Sequence, residues 1–281
     1  MATPTFVVVG HVTRDIVPQG WRLGGTATYA ATQAQRLGLS VGVATHVGPD
    51  VNLSEAMSGA LIAGSVSPES TSFQNVYEAG RRRQSVLSRA APMTPDDIPA
   101  GWRSASIALL GPVCGEVPPG LGCAFSGSLV GAAAQGWLRR VDKQQRVRKW
   151  AWQGPPFWSG CRVLFVSDED LGERREQLDR WCAEVPIVVL TRNRKGARVY
   201  TDGRWRTIAA FPAREVDPTG AGDIFAAAFL ARYHETDDMA EAMRFASAAS
   251  ACSIEARGVE SVADRATIEA RMAQHREVVL R

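Results

Sequence analysis

Asp217-Pro218-Thr219-Gly220-Ala221-Gly222-Asp223 runs without a break into the apolar segment Ile224 to Leu230, and the remainder of the chain arranges itself around this junction. Two glycines flanking an alanine let consecutive amides turn inward without Cβ crowding, and the apolar run behind them predicts a buried helix. The unpaired N–H groups of that helix's first turn and the positive end of its dipole would converge on one anion, such as a phosphate. Asp223 sits oddly in such a cradle, because a carboxylate repels the anion beside it. It makes sense there as a base that takes a proton from a hydroxyl attacking a phosphoryl group. The same seven residues also read as an Asp N-cap with a flexible loop before a buried helix.

At 281 residues, with 45% hydrophobic and 22% charged side chains, the chain has room for one large α/β domain or two small ones. The net charge is only +3, and the basic residues are scattered apart from Arg81-Arg82-Arg83 and the Arg139 to Lys149 region, which excludes a nucleic-acid footprint. Five cysteines at irregular spacing and four histidines indicate neither a zinc site nor a disulfide framework. The N-terminus lacks a charged signal region and no apolar run approaches bilayer length, so a cytoplasmic protein with no membrane association is expected.

The D-[PT]-T-G-A-G-D pattern with its Ile/Phe-rich helix resembles the C-terminal signature of the PfkB (ribokinase-like) family of carbohydrate and nucleoside kinases. The resemblance implies that Asp223 is the catalytic base and that Gly220, Ala221 and Gly222 supply the anion hole. Further N-terminal, Thr5 to Val9 reads as a buried parallel strand ending at Gly10. The following G-x-x-x-x-D is similar to the family's acceptor motif, in which Asp15 would grip two acceptor hydroxyls; Thr13 stands where an Asn is common. Gly24-Gly25 opens a helix with a small-residue face and matches the start of the family's G-G-x-x-x-N-x-A. Both glycines would touch the acceptor, and Tyr29 at the Asn position implies an altered pocket with an added aromatic face.

Val163 to Val166 reads as a strand with Ser167-Asp168-Glu169-Asp170 just beyond it. Carboxylates in a row there suggest Mg²⁺ held by oxygen ligands or through its waters, and also read as a helix-capping acidic cluster. The segment aligns with the family's N-x-x-E, which makes Asp170 the metal-shell candidate and Asp168 the reserve. Thr191 to Gly196 resembles the nucleotide-side T-x-G-x-x-G, with Asn193 for the first glycine. The resemblance assigns Thr191, Asn193, Gly196, Thr219, Gly222 and Ala249 to ATP. It also places Asp217, Thr219 and Gly258 where some relatives bind a monovalent cation such as K⁺. Gln135-Gly136-Trp137-Leu138-Arg139 is similar to a Q-G-x-x-R segment found in a subset of the family.

These readings predict one doubly wound α/β domain over residues 1–281, with a mainly parallel sheet, helices on both faces and a reduced β-lid. The lid would come from about 11–25, with a short hairpin at Pro18-Gln19-Gly20, and from 71–90, which turns at Glu78-Ala79-Gly80. Phe73, Asn75, Tyr77 and Arg83 are candidates to face the acceptor. The expected reaction is transfer of the ATP γ-phosphate, with Mg²⁺, to a hydroxyl of a small sugar or polyol by a monomer or homodimer. A nucleoside kinase of the same family and a non-catalytic sugar-binding homologue stay open. A Rossmann dehydrogenase is disfavoured because Phe225 stands where a third glycine is required, and a P-loop kinase because no Walker A sequence is present.

Overall fold

The structure, a computed structural model, describes residues 2–78 and 81–281; Ala79 and Gly80 of the expected Glu78-Ala79-Gly80 turn, and the side chain of Tyr77, lie outside the described residues. The chain begins in the middle of its main sheet with β1 (Phe6–Val9). It then leaves through β2 (Thr13–Val17) and β3 (Gly20–Gly24), and returns along α1 (Thr26–Arg36) to β4 (Val41–Ala44), α2 (Leu53–Ala56) and β5 (Leu61–Ala63). After β6 (Thr71–Glu78) and β7 (Arg81–Ser88) it resumes the sheet with β8 (Ile107–Leu110) and β9 (Leu129–Ala133), then forms β10 (Arg139–Val141) and β11 (Val147–Lys149). The remainder is β12 (Val163–Ser167), α3 (Asp168–Leu171), α4 (Arg175–Glu184), β13 (Ile187–Thr191), β14 (Ala197–Thr201), β15 (Arg204–Ile208), α5 (Ala221–Thr236), α6 (Met239–Ser253) and α7 (Arg265–Gln274).

Nine strands form one sheet in the order β15-β14-β13-β12-β9-β8-β1-β4-β5. Every neighbouring pair from β5 to β13 is parallel, and β14 and β15 add an antiparallel hairpin at the edge. Runs such as Phe6-Val7-Val8-Val9 and Ile107-Ala108-Leu109-Leu110 are apolar on both sides of the pleat because both sides are covered, and all eight residues are buried. The chain winds outward from β1 through β4 to β5 and then restarts on the other side of β1 with β8. The strand order therefore reverses between β1 and β8, and the crevice beyond their carboxyl ends is where open α/β sheets take ligands.

Helices α1, α5, α6 and α7 cover one face. Ile224 to Ala231 of α5 are buried throughout, and each large apolar side chain in this layer contributes about 1.5–3 kcal/mol. Gly131 in β9 admits Leu230 closely, since a Cβ there would stand 2.7 Å from the leucine Cδ1. On the other face α4 shares the cover with aromatic side chains from irregular segments: Trp137 stacks on Phe157 at 4.5 Å, and Phe157 meets Trp158 edge-on at 4.8 Å. The Trp-rich stretch before β12 is thus a packed loop. Strand β9 starts at Leu129, since Gly127 adopts φ 82 and breaks extension just before it.

The two segments expected to form the lid build a separate four-stranded sheet, β3-β2-β6-β7. Register pairs Thr13 with Gly24 and Asp15 with Arg22 across β2 and β3, and Asp15 with Phe73 across β2 and β6. The β10–β11 hairpin leans on this sheet through Val86 N–H, which donates to Gln145 O at 2.9 Å. Among the described residues no helix is long and apolar enough to cross a membrane.

Candidate active site

The cradle forms at the start of α5. Gly220 holds φ 78, a left-handed conformation that favours glycine, and its carbonyl accepts the first helical bond from Ile224 N–H at 2.9 Å. The Ala221 amide folds back onto Pro218 O at 3.3 Å, which leaves the amides of Gly222 and Asp223 as first-turn donors with no carbonyl in reach along the helix. Gly222 is exposed, and an added Cβ there would meet nothing within 4 Å, so the mouth of the cradle is open. The approach is fixed at its rear. Thr219 N–H donates to Asp217 Oδ1 at 3.0 Å, and the amides of Val216 and Asp217 donate to Ile254 O beyond the end of α6.

Asp223 keeps a partly exposed edge yet is densely surrounded by protein. This burial pushes its carboxyl up to about 6; Thr26 and Arg139 pull it down, and the charge of Asp170 adds to the rise. Thr26 Oγ1 is near enough to act on Asp223 but out of hydrogen-bonding geometry, and it is a buried hydroxyl with no partner of its own. A carboxylate that releases its proton near pH 6 is suited to accept one from an alcohol at neutral pH.

The acceptor-side residues meet this centre across α1. Gly25 caps α1 with φ 85, and a Cβ on it would lie 2.5 Å from His11 O. A Cβ on Gly24 would lie 2.6 Å from Asp15 Oδ2, so the carboxylate of Asp15 rests against the glycine turn. Thr13 Oγ1 donates to Asp15 Oδ1 at 3.4 Å. Tyr29 is 3% exposed, and its ring packs against Gly220, where an added Cβ would stand 2.3 Å from the ring. Its flat surface is occupied by the cradle backbone, contrary to the expectation of an aromatic face offered to the acceptor. Burial first, then Asp15, Asp217 and Asp223 together, raise the Tyr29 phenol above its ordinary range, with Arg22 opposing. One buried side chain therefore feels both the acceptor-side and the cradle-side carboxylates.

On the lid, Phe73 and Asn75 share the face of Asp15. Arg83 pairs with Val76 and so points to the opposite face, while Gln84, opposite Asn75, occupies the position expected of it. Beneath the lid lies a network the sequence did not reveal. His11 contacts Thr71 Oγ1 through Nδ1 at 2.8 Å and Ala91 O through Nε2 at 3.0 Å, and it stacks on His46, which pairs with Asp97 at 2.8 Å. Burial holds His11 below the ordinary imidazole range, with Glu116 opposing. Glu116 itself accepts from the amides of His11, Val113 and Cys114. Nothing in the local pattern around Gly10-His11 distinguished it from a loop.

In the acidic stretch after β12 both metal-shell candidates have arginine partners. Asp170 is buried: its Oδ1 accepts from Arg139 Nη2 at 3.1 Å and Nε at 3.3 Å, and its Oδ2 accepts from Ser167 Oγ at 2.7 Å. Asp168 Oδ2 accepts from Arg192 Nε at 3.2 Å. Among the described residues no group of three or more His, Cys, Asp or Glu side chains is arranged to hold a metal ion. Both carboxylates thus serve arginines. On the nucleotide side, Thr191 ends β13, exposed Asn193 has φ 49, and Gly196 has φ 80 in a tight turn where Gly196 N–H donates to Asn193 O at 3.0 Å. A Cβ on Gly196 would lie 2.1 Å from Ile208 O. Ala249 is fully buried within α6, so half-buried Ser250 is the neighbouring residue that reaches the surface. A separate hollow of about 500 Å³, lined by Ser104, Ser126, Arg162 and His234, lies at the amino ends of the strands and shares no residue with this site.

An amide cradle with an adjoining carboxylate, packed through Tyr29 on the helix whose glycine turn holds a second carboxylate, at the switch point of a mainly parallel sheet, defines a phosphotransferase of the ribokinase-like fold acting on an alcohol. Residues 159–265 match the sequence profile of the pfkB family carbohydrate kinases. The chain is 31% identical to the cytidine kinase of Thermococcus kodakarensis over 85% of its own length and 91% of that protein, and 30% identical to the inositol 3-kinase of Oryza sativa subsp. japonica over 79% of its own length and 61% of that protein. The solved structure of Arabidopsis thaliana ribokinase complexed with ribose and ATP superposes with a TM-score of 0.76 at 21% identity, covering 96% of this chain and 99% of that one. The protein belongs to the pfkB family of carbohydrate kinases.

Proposed function

We propose that the protein transfers the γ-phosphoryl group of ATP to a hydroxyl of a small sugar or polyol, with Asp223 as the base. The observation that carries this reading is the packing of the acceptor side on the cradle: the ring of Tyr29 on α1 lies against Gly220, and Asp15, the candidate grip on the acceptor, rests against Gly24 just before that helix, whereas Asp223, the candidate base, follows the cradle glycines. An acceptor held by Asp15 and the Gly24-Gly25 turn would present a hydroxyl toward Asp223, with its phosphoryl target over the amides of Gly222 and Asp223.

In the step itself the hydroxyl proton passes to Asp223 as the hydroxyl oxygen attacks the γ-phosphorus in line. The new O–P bond forms while the bond to the bridging oxygen breaks and ADP leaves. The cradle amides and the α5 dipole stabilise the charge that develops on the phosphoryl oxygens, and the base contributes about 10²–10⁴-fold. Mg²⁺ is expected to enter with the ATP phosphates; Asp168 and Asp170, paired with arginines, do not fit a carboxylate metal shell, and no step is assigned to the ion. On the nucleotide side we assign Thr191, Asn193, Gly196 and Thr219 to ATP, and a monovalent cation near Asp217, Thr219 and Gly258 is read by comparing rates in potassium and lithium salts.

Likeness to a cytidine kinase over most of that protein's length favours a second reading, in which the accepted hydroxyl belongs to a nucleoside. In that case Tyr29 is not the residue that stacks on the base, since its ring is already packed on Gly220. The experiment that decides is ADP formation from ATP and Mg²⁺ across a panel of myo-inositol, ribose, fructose, cytidine and uridine. Turnover with a sugar or polyol supports the first reading. Turnover confined to nucleosides replaces it with the second, and no acceptor-dependent ADP across a wide panel contradicts both.

A further inference from the structure

We propose, building on the kinase reading above, that Arg139 is the cation that meets the phosphoryl oxygens at the cradle, with Asp170 as its counter-ion and Gln84 as its anchor on the lid. Arg139 opens β10, which leaves the short turn Ala134–Gly136 at the carboxyl end of β9, next to the carboxyl end of β12 where Asp170 sits. Three elements far apart in sequence thus deliver Arg139, Asp170 and Asp223 to one edge of the sheet, within electrostatic reach of one another.

The guanidinium is fixed on two sides. Nε and Nη2 donate to Asp170 Oδ1 at 3.3 and 3.1 Å, and Nη1 donates to Gln84 Oε1 at 3.2 Å. These bonds engage Nε–H and one hydrogen on each terminal nitrogen, which leaves one N–H on Nη1 and one on Nη2 able to donate to a phosphate. The Arg139 side chain is 12% exposed, so it is desolvated but not sealed. Asp170 has the form of a counter-ion: its Oδ1 takes both arginine bonds and its Oδ2 takes the Ser167 hydroxyl.

Charge balance points the same way. A donor phosphate entering the cradle meets Asp223 and Asp170, and repulsion from both must be offset by a nearby cation. Arg192 pairs with Asp168 and Arg194 with Glu215, and Arg194 is largely exposed, whereas Arg139 is held at the core edge. Arg139 is near enough for its charge to draw the Asp223 carboxyl down. Because Gln84 lies on the lid face that carries Asn75, the same guanidinium is positioned from the lid as well as from the core.

The test uses full-length wild type, Arg139→Met, Arg139→Lys, Asp170→Asn and the double variant Arg139→Met/Asp170→Asn, with folding checked by circular dichroism. The readouts are kcat, acceptor KM, Mg²⁺ half-saturation and calorimetric binding of a non-hydrolysable ATP analogue. Arg139→Met and the double variant are both expected to lose about a hundredfold in kcat with acceptor KM nearly unchanged, and Arg139→Lys to recover part of that loss. Analogue binding by the double variant, which leaves no unpaired buried charge, is expected to weaken about tenfold. Asp170→Asn is expected to keep its Mg²⁺ half-saturation within about twofold of wild type. Wild-type turnover or analogue binding in the double variant would show that Arg139 only neutralises Asp170, and overturns the proposal. So does a rise of about tenfold or more in the Mg²⁺ requirement of Asp170→Asn, which would return Asp170 to the metal. Analogue binding reads the proposal without turnover, so its failure is distinct from failure of the kinase reading, which is decided by the wild-type acceptor panel.

Discussion

The ring of Tyr29 lies directly against Gly220, so that the first turn of the acceptor-side helix and the left-handed residue of the phosphate cradle are held in contact by one aromatic side chain. No side chain other than hydrogen fits at 220 while that ring stays in place. The start of α1 and the cradle are therefore packed directly on one another.

Gly220→Ala is expected to destabilise the protein by about 2–4 kcal/mol, because it combines a left-handed backbone with overpacking against the ring. Urea unfolding measures this. Tyr29→Ala, which removes the obstacle at the cost of a cavity, is expected to relieve part of the Gly220→Ala penalty in the double variant. Strict additivity of the two changes would show that the contact is not what forbids alanine.

The Asp223 carboxyl links function to stability with a definite sign. Its folded value of about 6 lies above the ordinary 3.8, so its contribution to stability is complete below about pH 3.8 and is lost as pH rises through about 6. At pH 7.5 the ionised group is a burden on the fold. Asp223→Asn should then be more stable than wild type by about 1–2 kcal/mol at pH 7.5, allowing for the partly exposed edge, and equal to it near pH 4. Thermal melts at the two pH values check this, and a variant less stable at pH 7.5 contradicts the raised carboxyl.

The same titration governs rate. For wild type, kcat/KM should fall about tenfold per pH unit below about 6, as Asp223 takes up the proton that bars it from acting as base. A profile flat down to pH 5 excludes a carboxylate of that pKa from the rate-limiting proton transfer.

Asp15→Asn keeps the shape of the carboxylate against Gly24 but removes its charge and one acceptor oxygen. Acceptor KM is expected to rise about 10–100-fold with the KM for ATP nearly unchanged. Steady-state kinetics with each substrate varied in turn separates these, and a rise confined to the ATP KM would move Asp15 out of the acceptor site.

Much of the architecture was readable from local pattern. Apolar runs such as Phe6 to Val9 and Ile187 to Leu190 mark buried parallel strands, and Asp202-Gly203, both with positive φ, marks the β14–β15 hairpin. The cradle was legible because two glycines and an aspartate before an apolar run carry their chemistry in consecutive residues. The ion pairs were not legible. Arg139 and Asp170 meet through the adjacency of β9 and β12, a tertiary fact, so the local pattern showed three neighbouring carboxylates but not the arginines that pair with Asp168 and Asp170. Arg83 was misassigned for a related reason: Glu78 pairs with Arg81, so an odd-numbered residue on β6 faces an even-numbered one on β7, and alternation counted through the turn selects the wrong face. Tyr29 was placed at the right position on its helix, but its contact with Gly220 depends on how α1 packs against α5, which no local pattern encodes.

The most direct test is transfer of label from γ-³²P-ATP to the acceptor identified by the panel, comparing wild type with Asp223→Asn at pH 7.5 under single-turnover conditions. Wild type should label the acceptor, and the variant, folded and still binding nucleotide, should do so at least about a hundredfold more slowly. Labelling at the wild-type rate by Asp223→Asn would contradict the assignment of this carboxylate as the base.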